Sequence, residues 1–200
     1  MSALYPVMEH FYTIQGEGAF SGVAAYFIRL AGCDVGCTWC DVKESWHTEG
    51  YEQVSAQTMV QWVSQTPARL VVITGGEPAM YDLNEICNAL HEYGCRVHIE
   101  TSAAHEIKGE FDWVTISPKK FKFPLEKELQ KAQELKIVVF NKSDFEWAER
   151  WKPLCNSQCV FLLQPEWDKR DQMLPQIIDY VKANPDWQIS LQTHKIINVP

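Results

Sequence analysis

Residues 69–99 read RLVVITGGEPAMYDLNEICNALHEYGCRVHI, and this stretch decides the fold class. It begins with a β-branched run at 69–73, which is typical of a buried strand. Apolar residues then recur at helical spacing within 82–93, and Gly94 stands where a helix commonly ends. A second β-branched run follows at 95–99. Strand, helix and strand in this order predict a parallel β-α-β unit.

The same alternation continues on both sides of this unit. Further strands are predicted at 24–30, 113–116, 137–140, 160–163 and 187–191, and helices at 54–63, 125–134, 143–151 and 172–183. Ser55 is placed to cap the first of these helices. Alternating strands and helices predict the α/β class, with a parallel sheet and helices outside it. Because a closed eightfold barrel needs about 250 residues, a chain of 200 residues predicts a partial barrel in one domain, residues 1–200.

Residues whose side chains can bind ligands or take part in reactions follow the predicted strands, at their carboxyl ends. In parallel sheets these ends meet at one face, where functional loops lie. We therefore expect one site, built from the loops at 32–41, 74–78, 100–102, 117–119, 164–165 and 192–195.

The composition limits the classes of partner. Eighteen Lys and Arg against 26 Asp and Glu give a formal net charge of −8, which opposes binding to nucleic-acid phosphates or anionic membrane surfaces. No apolar run approaches the roughly 20 residues of a membrane span, and residues 1–10 carry no secretory signal. An odd count of seven cysteines argues against a disulfide framework. We expect a cytoplasmic protein with no nucleic-acid and no membrane partner.

Three of the cysteines, Cys33, Cys37 and Cys40, form the motif Cys-x3-Cys-x2-Cys. Structural zinc and ordinary iron–sulfur clusters take four protein ligands, and no second cysteine or histidine pair follows nearby. Three thiolates on a four-iron cube leave one iron open. An open iron can chelate the amino and carboxylate groups of S-adenosylmethionine and pass an electron to its sulfonium. The alternative is three buried or redox-active cysteines that cluster by chance.

These residues resemble the radical S-adenosylmethionine superfamily, in which Cys-x3-Cys-x-aromatic-Cys follows the first strand and Trp39 takes the aromatic position. The segment Thr-Gly-Gly-Glu-Pro at 74–78 is similar to the superfamily segment that receives the methionine amino group. In that superfamily segment the glycines let the backbone approach the ligand closely, and the glutamate offers a carboxylate to a cation. Both segments in this order favour a [4Fe-4S] enzyme with the partial barrel of that superfamily.

Nearly the whole chain, from about residue 8 onward, resembles the 7-carboxy-7-deazaguanine synthase family within that superfamily. The matching motifs are Ile-Gln-Gly-Glu-Gly at 14–18, Phe-Ile-Arg-Leu at 27–30, Glu-Thr-Ser at 100–102, Ser-Pro-Lys at 117–119, Gln-Pro at 164–165 and Gln-Thr-His-Lys at 192–195. The resemblance implies conversion of 6-carboxy-5,6,7,8-tetrahydropterin to 7-carboxy-7-deazaguanine with loss of ammonia, a lyase reaction in queuosine and 7-deazapurine biosynthesis. It also implies that a 5′-deoxyadenosyl radical takes a hydrogen atom from C6 of the pterin, and that the 5′-deoxyadenosine so formed later returns a hydrogen atom to the rearranged radical.

The resemblance also implies roles for individual residues. The cluster ligands would be Cys33, Cys37 and Cys40. The S-adenosylmethionine contacts would be Trp39, Cys40, Asp41, Gly76, Glu77, Ser117, Pro118, Lys119 and Gln164. The pterin contacts would be Ile14, Gln15, Gly16, Arg29, Thr74, His194 and Pro200. Arg29 would pair with the substrate carboxylate, which suits a bidentate guanidinium; the alternative for Arg29 is a salt bridge to an acidic residue of the chain.

One position departs from the family pattern. After Asp41 the family usually has threonine or serine, whose hydroxyl binds a magnesium ion that contacts the substrate. This chain has Val42, whose side chain has no lone pair. Magnesium is therefore expected only if the substrate, water or another residue holds it. The resemblance further implies a flavodoxin- or ferredoxin-type reductant and a homodimer.

Two other functions compete with the synthase. A glycyl-radical activating enzyme shares the three-cysteine spacing but acts on a protein and would not need Arg29 or the motif at 192–195. A non-catalytic iron–sulfur electron carrier is the second alternative. This chain lacks the fourth thiolate that such a carrier would need, and this interpretation leaves the Gly-Gly-Glu segment without a role.

Overall fold

The computed structural model describes residues 3–200, whose strands form one nine-stranded sheet. The strands are β1 (Leu4–Ile14), β2 (Ala24–Leu30), β3 (Glu52–Ser55), β4 (Leu70–Gly75), β5 (Arg96–Thr101), β6 (Trp113–Ile116), β7 (Glu134–Val139), β8 (Val160–Pro165) and β9 (Trp187–Ile189). Their order across the sheet is β3-β1-β2-β4-β5-β6-β7-β8-β9. β1 runs antiparallel to both neighbours, and every pair from β2 to β9 is parallel. Since β3 and β9 lie at opposite ends of this order, the barrel is open, which confirms the predicted partial barrel.

Most of the parallel strands are joined through helices. These are α1 (Ala56–Ser64), α2 (Asn84–Glu92), α3 (Ser143–Trp151), α4 (Arg170–Ala183) and the C-terminal α5 (Thr193–Ile197). Ser55 caps α1 as predicted, because its Oγ accepts a hydrogen bond from the backbone N–H of Thr58 at 3.3 Å. Gly94 follows α2 at φ +88°, a left-handed conformation that ends a helix. Within the described chain, no α-helix lies between β5 and β6, in agreement with the helix-poor stretch of the sequence there.

Alternation along the strands separates an apolar outer face from a polar inner face. On β7, Leu135 and Ile137 belong to the main core cluster, which also contains the buried apolar residues of the helices. Glu134, which precedes Leu135, and Lys136, which lies between Leu135 and Ile137, are buried and polar. Because successive side chains of a strand point to opposite faces, these two charged groups point into the barrel. The inner face of the sheet therefore carries the chemistry.

The predicted helix at 125–134 is wrong. Only a short 3-10 segment forms there, Glu126–Lys131, and Glu134 begins β7. Glu134 pairs with Thr115 on one side and Val160 on the other. The sheet therefore takes the end of a stretch whose residue types favour a helix, which shows tertiary pairing overriding local propensity.

The sequence patterns do not predict β1, β3 or α5. In β1 the strand signal is interrupted by Pro6 and by an irregularity between Val7 and Glu9. Val54, which was grouped with the first helix, lies in β3 instead. β1 and β3 extend the sheet beyond β2, and α5 is hydrogen-bonded to Gly16, just beyond the end of β1.

None of the helices in residues 3–200 is long and apolar enough to cross a membrane. Met1 and Ser2, part of the segment expected to lack a secretory signal, lie outside the described residues.

Candidate active site

A cavity of about 290 Å³ opens at the carboxyl ends of the parallel strands. Each of the six loops expected to form the site contributes to its wall. The predicted site residues that line it are Ile14, Gln15, Gly16, Arg29, Cys33, Cys37, Trp39, Cys40, Asp41, Thr74, Gly76, Glu77, Ser117, Lys119, Gln164, His194 and Pro200. Pro118 is the exception, because it is buried beside the cavity and its carbonyl accepts a hydrogen bond from Trp147 Nε1 at 3.4 Å.

The three clustered cysteines lie in the loop between β2 and β3, with their thiols free. Backbone hydrogen bonds hold this loop, and one joins the Cys33 N–H to the Trp46 carbonyl at 3.1 Å. Burial raises the pKa of Cys33 and raises that of Cys37 to about 11. Thiols with raised pKa values need a bound cation to exist as thiolates.

The cysteine loop fits a four-iron cluster better than a single metal ion. Within residues 3–200, no group of three His, Cys, Asp or Glu side chains is placed to hold one ion. Three thiols that line one cavity can each bind a different iron of a larger cube, and the missing fourth ligand leaves one iron open toward the cavity. The donor set therefore matches the cofactor that the sequence predicts.

The Thr-Gly-Gly-Glu turn after β4 packs directly against the cysteine loop. The Gly76 N–H donates to the Leu30 carbonyl at 3.0 Å, and the Glu77 N–H donates to the Gly32 carbonyl at 2.8 Å. A Cβ atom on Gly76 would lie 2.7 Å from the Ser45 carbonyl oxygen and 2.8 Å from the Cys33 Cβ. Only glycine fits at this approach, so the second glycine of the motif serves the contact between the two loops.

The Glu77 carboxylate is almost fully buried and is surrounded by donors. It accepts hydrogen bonds from the hydroxyls of Thr101 and Ser102, from the Ser102 N–H at 2.9 Å and from the Ala79 N–H at 3.0 Å. The three bonds from Thr101 and Ser102 tie the end of β4 to the end of β5, and the bond from Ala79 fixes the turn itself. The predicted contact of Glu77 with S-adenosylmethionine stays a prediction, and the observed contacts show a side chain that fixes the loops.

The C-terminal segment closes over the end of β1. The Gly16 carbonyl accepts hydrogen bonds from the Thr193 N–H at 2.8 Å and from its hydroxyl at 2.9 Å. A Cβ atom on Gly16 would lie 2.6 Å from the Cβ of His194, and the Thr13 hydroxyl donates to the Pro200 carbonyl at 3.1 Å. This packing brings His194 and Pro200 to the cavity beside the 14–16 strip.

A buried lysine and two carboxylates form the floor of the cavity. Lys136 forms ion pairs with Glu17 and, at 4.0 Å, with Glu100. Burial alone would raise the pKa of Glu17, but the Lys136 charge and several hydrogen bonds outweigh it and lower this pKa to about 2. Burial alone would lower the pKa of Lys136, but Glu100, Glu17 and Glu134 outweigh it, so this pKa lies above its usual range. Glu17 and Lys136 are therefore both charged at neutral pH.

Lys136 and Glu17 were not among the predicted site residues. Glu17 belongs to the motif at 14–18, and a lysine inside the apolar strand β7 is the signal that could have revealed Lys136. Trp167 and Gln192 also line the cavity unpredicted.

Arg29 lines the cavity and forms the salt bridge of the alternative interpretation, while its pairing with a substrate carboxylate stays a prediction. Its Nε donates to Glu9 Oε1 at 2.6 Å, and the side chain is 20% exposed. A guanidinium has two further nitrogens, for which the residues described give no protein partner. Those nitrogens leave Arg29 able to bind an anion.

The S-adenosylmethionine side of the predicted site forms a connected group. Lys119 Nζ donates to Ser117 Oγ at 2.6 Å and lies 5.3 Å from the ring centre of Trp39. Burial lowers the pKa of Lys119. Gln164 Oε1 accepts a hydrogen bond from Ser190 Oγ at 2.8 Å. All four of these residues, Trp39, Ser117, Lys119 and Gln164, line the cavity.

Position 42 offers no metal ligand from its side chain. Val42 lines the cavity, and its carbonyl accepts the hydrogen bond of Ser45 Oγ at 2.7 Å. The neighbouring carboxylate of Asp41 forms an ion pair with Lys195 at 3.2 Å. The side chains present do not fit a magnesium ion held through a hydroxyl at position 42.

Known proteins match nearly the whole chain. Residues 27–136 match the radical SAM superfamily. The chain is 46% identical over 197 residues to the 7-carboxy-7-deazaguanine synthase of Flavobacterium psychrophilum, which covers 98% of this chain and 93% of that protein. This chain belongs to the 7-carboxy-7-deazaguanine synthase family. Another 7-carboxy-7-deazaguanine synthase, from Synechocystis sp., is 42% identical over 199 residues, which covers 100% of this chain and 95% of the relative.

A solved structure supports the same family. The crystal structure of QueE from Escherichia coli superimposes with a TM-score of 0.86 at 33% identity, which covers 94% of this chain and 93% of that chain. Membership of the 7-carboxy-7-deazaguanine synthases confirms the α/β partial barrel and the radical enzyme class, and it implies the [4Fe-4S] cluster and S-adenosylmethionine. It favours the synthase over the activating enzyme and the electron carrier.

Proposed function

We propose that this chain converts 6-carboxy-5,6,7,8-tetrahydropterin to 7-carboxy-7-deazaguanine with release of ammonia. The observation that carries the proposal is the cavity at the strand ends, where three free thiols and the Gly-Gly-Glu turn meet the C-terminal segment. Relatives named for this product match the chain over almost its full length. When bound, the [4Fe-4S] cluster and S-adenosylmethionine supply the one-electron chemistry that generates a carbon radical.

The cysteine side of the cavity would hold the two cofactors. Cys33, Cys37 and Cys40 would bind the cluster through their thiolates. The residues proposed to contact S-adenosylmethionine are Trp39, Cys40, Asp41, Gly76, Glu77, Ser117, Lys119 and Gln164, with Pro118 supporting them from behind the wall. Hydrogen bonds among the loops fix this side before any ligand binds, which lowers the cost of orienting the reacting groups.

The opposite side of the cavity would hold the pterin. The free nitrogens of Arg29 would bind the substrate carboxylate, and Ile14, Gln15, Gly16 and Thr74 would flank the ring. His194 and Pro200 would contact it from the C-terminal segment. This assignment places a fixed cation and several acceptors around an anionic, donor-rich heterocycle.

The ionised floor would orient the polar edge of the pterin. With its pKa near 2, Glu17 is a carboxylate at neutral pH, and Gln15 Nε2 donates to Glu100 Oε1 at 2.9 Å. Carboxylate oxygens accept hydrogen bonds from ring and amino N–H groups. Lys136 offsets part of their charge, which reduces the negative charge that accumulates in the floor.

Several properties beyond the reaction belong to this proposal. A flavodoxin- or ferredoxin-type protein would supply the electron, and the enzyme would work as a homodimer and as one domain. Free thiols and a thiolate-bound cluster suit a reducing compartment, which supports a cytoplasmic location. Magnesium is not assigned a role, because position 42 lacks the hydroxyl that would hold it.

The decisive experiment is an anaerobic assay of the reconstituted protein with the carboxylated tetrahydropterin and dithionite, followed by mass spectrometry of the product. We expect 7-carboxy-7-deazaguanine, with the same rate in the presence and absence of magnesium. Cys33→Ala, Cys37→Ala and Cys40→Ala should each abolish both the cluster absorption and the product.

Cys155→Ala is the matched control, since Cys155 lies outside the cavity lining; it should keep both cluster and activity. Turnover by any of the three cluster variants, or activation of a partner protein without pterin conversion, would contradict the proposal.

A further inference from the structure

The loop that follows β6 presents aromatic and basic side chains next to the cysteine loop. Phe121 is 44% exposed and Phe123 is 48% exposed. The Phe121 ring meets Trp39 edge-on, with ring centres 6.2 Å apart. Trp39 directly precedes Cys40, so one aromatic contact separates this exposed surface from a predicted cluster ligand.

The loop is fixed to the cysteine loop on a second side. Lys122 Nζ lies 2.7 Å from Asp34 Oδ2, and Asp34 directly follows Cys33. Phe123 packs against the buried Trp147, with ring centres 5.0 Å apart, and the Arg150 guanidinium lies 4.9 Å from the Phe123 ring centre. The two exposed rings are therefore held in place by the fold.

The charge of this surface is opposite to that of the whole chain. Residues 117–125 contain three lysines and no acidic residue, whereas the chain carries a net charge of −8. Lys120 pairs with Asp144, a buried carboxylate that also accepts two backbone N–H bonds. Lys122 likewise pairs with Asp34, whereas Arg150 forms no ion pair within residues 3–200, so the three cations and two carboxylates leave this surface with one net positive charge. An acidic protein would be repelled by most of the molecule and attracted here.

We infer that Lys120, Phe121, Lys122, Phe123 and Arg150 form the docking surface for a small acidic protein that carries one electron to the cluster. This inference rests on the proposed function. Electron-transfer complexes use small, transient interfaces. Two exposed aromatic side chains beside three basic ones match that type. In each transfer the carrier loses one electron and the cluster held by Cys33, Cys37 and Cys40 gains it, with no bond formed to the surface.

Binding of an acidic flavodoxin to the reconstituted full chain tests the inference. The dissociation constant is measured by fluorescence anisotropy of the labelled flavodoxin at two salt concentrations. The double variant Lys120→Gln with Lys122→Gln should weaken binding about tenfold at low salt and reduce its salt dependence, since surface charges act on association and its screening. Phe121→Gln should weaken binding at both salt concentrations.

Two control variants match these changes elsewhere on the surface. Lys182→Gln removes an exposed charge from α4, and Leu4→Gln removes an exposed apolar side chain from β1. Both should bind flavodoxin like the wild type. Equal weakening by the control variants would overturn the inference.

Turnover with two reductants separates this inference from the proposed function. With dithionite, the wild type, the two control variants and the two surface variants (the double lysine variant and Phe121→Gln) should convert the pterin at similar rates. With reduced flavodoxin, only the two surface variants should be slow. Absence of wild-type turnover with dithionite would reject the proposed function, while the binding results still test the surface. Unchanged flavodoxin binding by the surface variants, or a change of oligomeric state in them alone, would overturn the docking assignment.

Discussion

Lys136 lies inside the barrel in an ion pair with Glu17, and its side chain is only 5% exposed. Removing the lysine leaves Glu17 and Glu100 without their common cation in a buried position. Lys136→Met should therefore lower the free energy of unfolding by about 3 kcal/mol, which is typical of a broken buried pair. Guanidinium unfolding at neutral pH measures this loss, and exposed Lys108→Met is the control, which should stay within about 0.5 kcal/mol of the wild type.

The same pair predicts a pH dependence. The pKa of Glu17 is about 2 in the folded protein against an ordinary value of 4.5, so its contribution to stability is complete above pH 4.5 and is lost as the pH falls toward 2. In Lys136→Met this acid-dependent loss should shrink or reverse, because burial without the lysine charge raises the pKa of Glu17. Identical acid unfolding of both proteins would contradict the assignment.

His98 predicts a second pH effect with a different window. It is 4% exposed, its Nε2 has no partner within residues 3–200, and burial, assisted by Arg96, lowers its pKa to about 4 from 6.5. Below pH 6.5 the unfolded state binds this proton more readily, so stability should fall between pH 6.5 and 4. His98→Phe should remove up to about 1.4 kcal/mol per pH unit from that slope. Unfolding curves at four pH values test it, and an unchanged slope would be the contrary result.

Gly76→Ala should disturb the cysteine loop. The added methyl group would meet the backbone carbonyls of Gly32 and Ser45, and neither can move without shifting the loop. We expect a loss of about 2 kcal/mol in stability, together with lower iron content after reconstitution. In Gly50→Ala the new Cβ meets nothing within 4 Å. This control should lose only the stability that alanine costs at a positive φ, and its iron content should be unchanged.

Arg29→Ala should act on substrate binding. Losing charge-assisted hydrogen bonds of about 2 kcal/mol should raise KM for the pterin roughly 30-fold, while dithionite-driven cleavage of S-adenosylmethionine without substrate continues. Glu9→Gln removes the exposed salt bridge but keeps the guanidinium, so KM should change less than about threefold. Equal effects of the two variants would show that Arg29 serves the salt bridge alone.

Much of the fold and cavity wall could be predicted from the sequence, because their signals are local. The β-branched run at 69–73 and the cysteine spacing each lie within a few consecutive residues, and the strand order then brings them together. The stretch at 125–134 was misjudged, since pairing of Glu134 with two strands decides its conformation. Lys136 was missed for a related reason, because its partners Glu17 and Glu100 are distant in the sequence.

The contact between Gly16 and Thr193 joins residues from opposite ends of the chain. During synthesis the cluster loop, the Gly-Gly-Glu turn and most parallel strands can form while the last residues are still in the ribosome. The wall that we propose for the pterin is complete only once α5 has formed, because it includes His194 and Pro200. Contacts between distant segments form slowly, so maturation should proceed in order, with a cofactor-binding chain preceding a substrate-binding one.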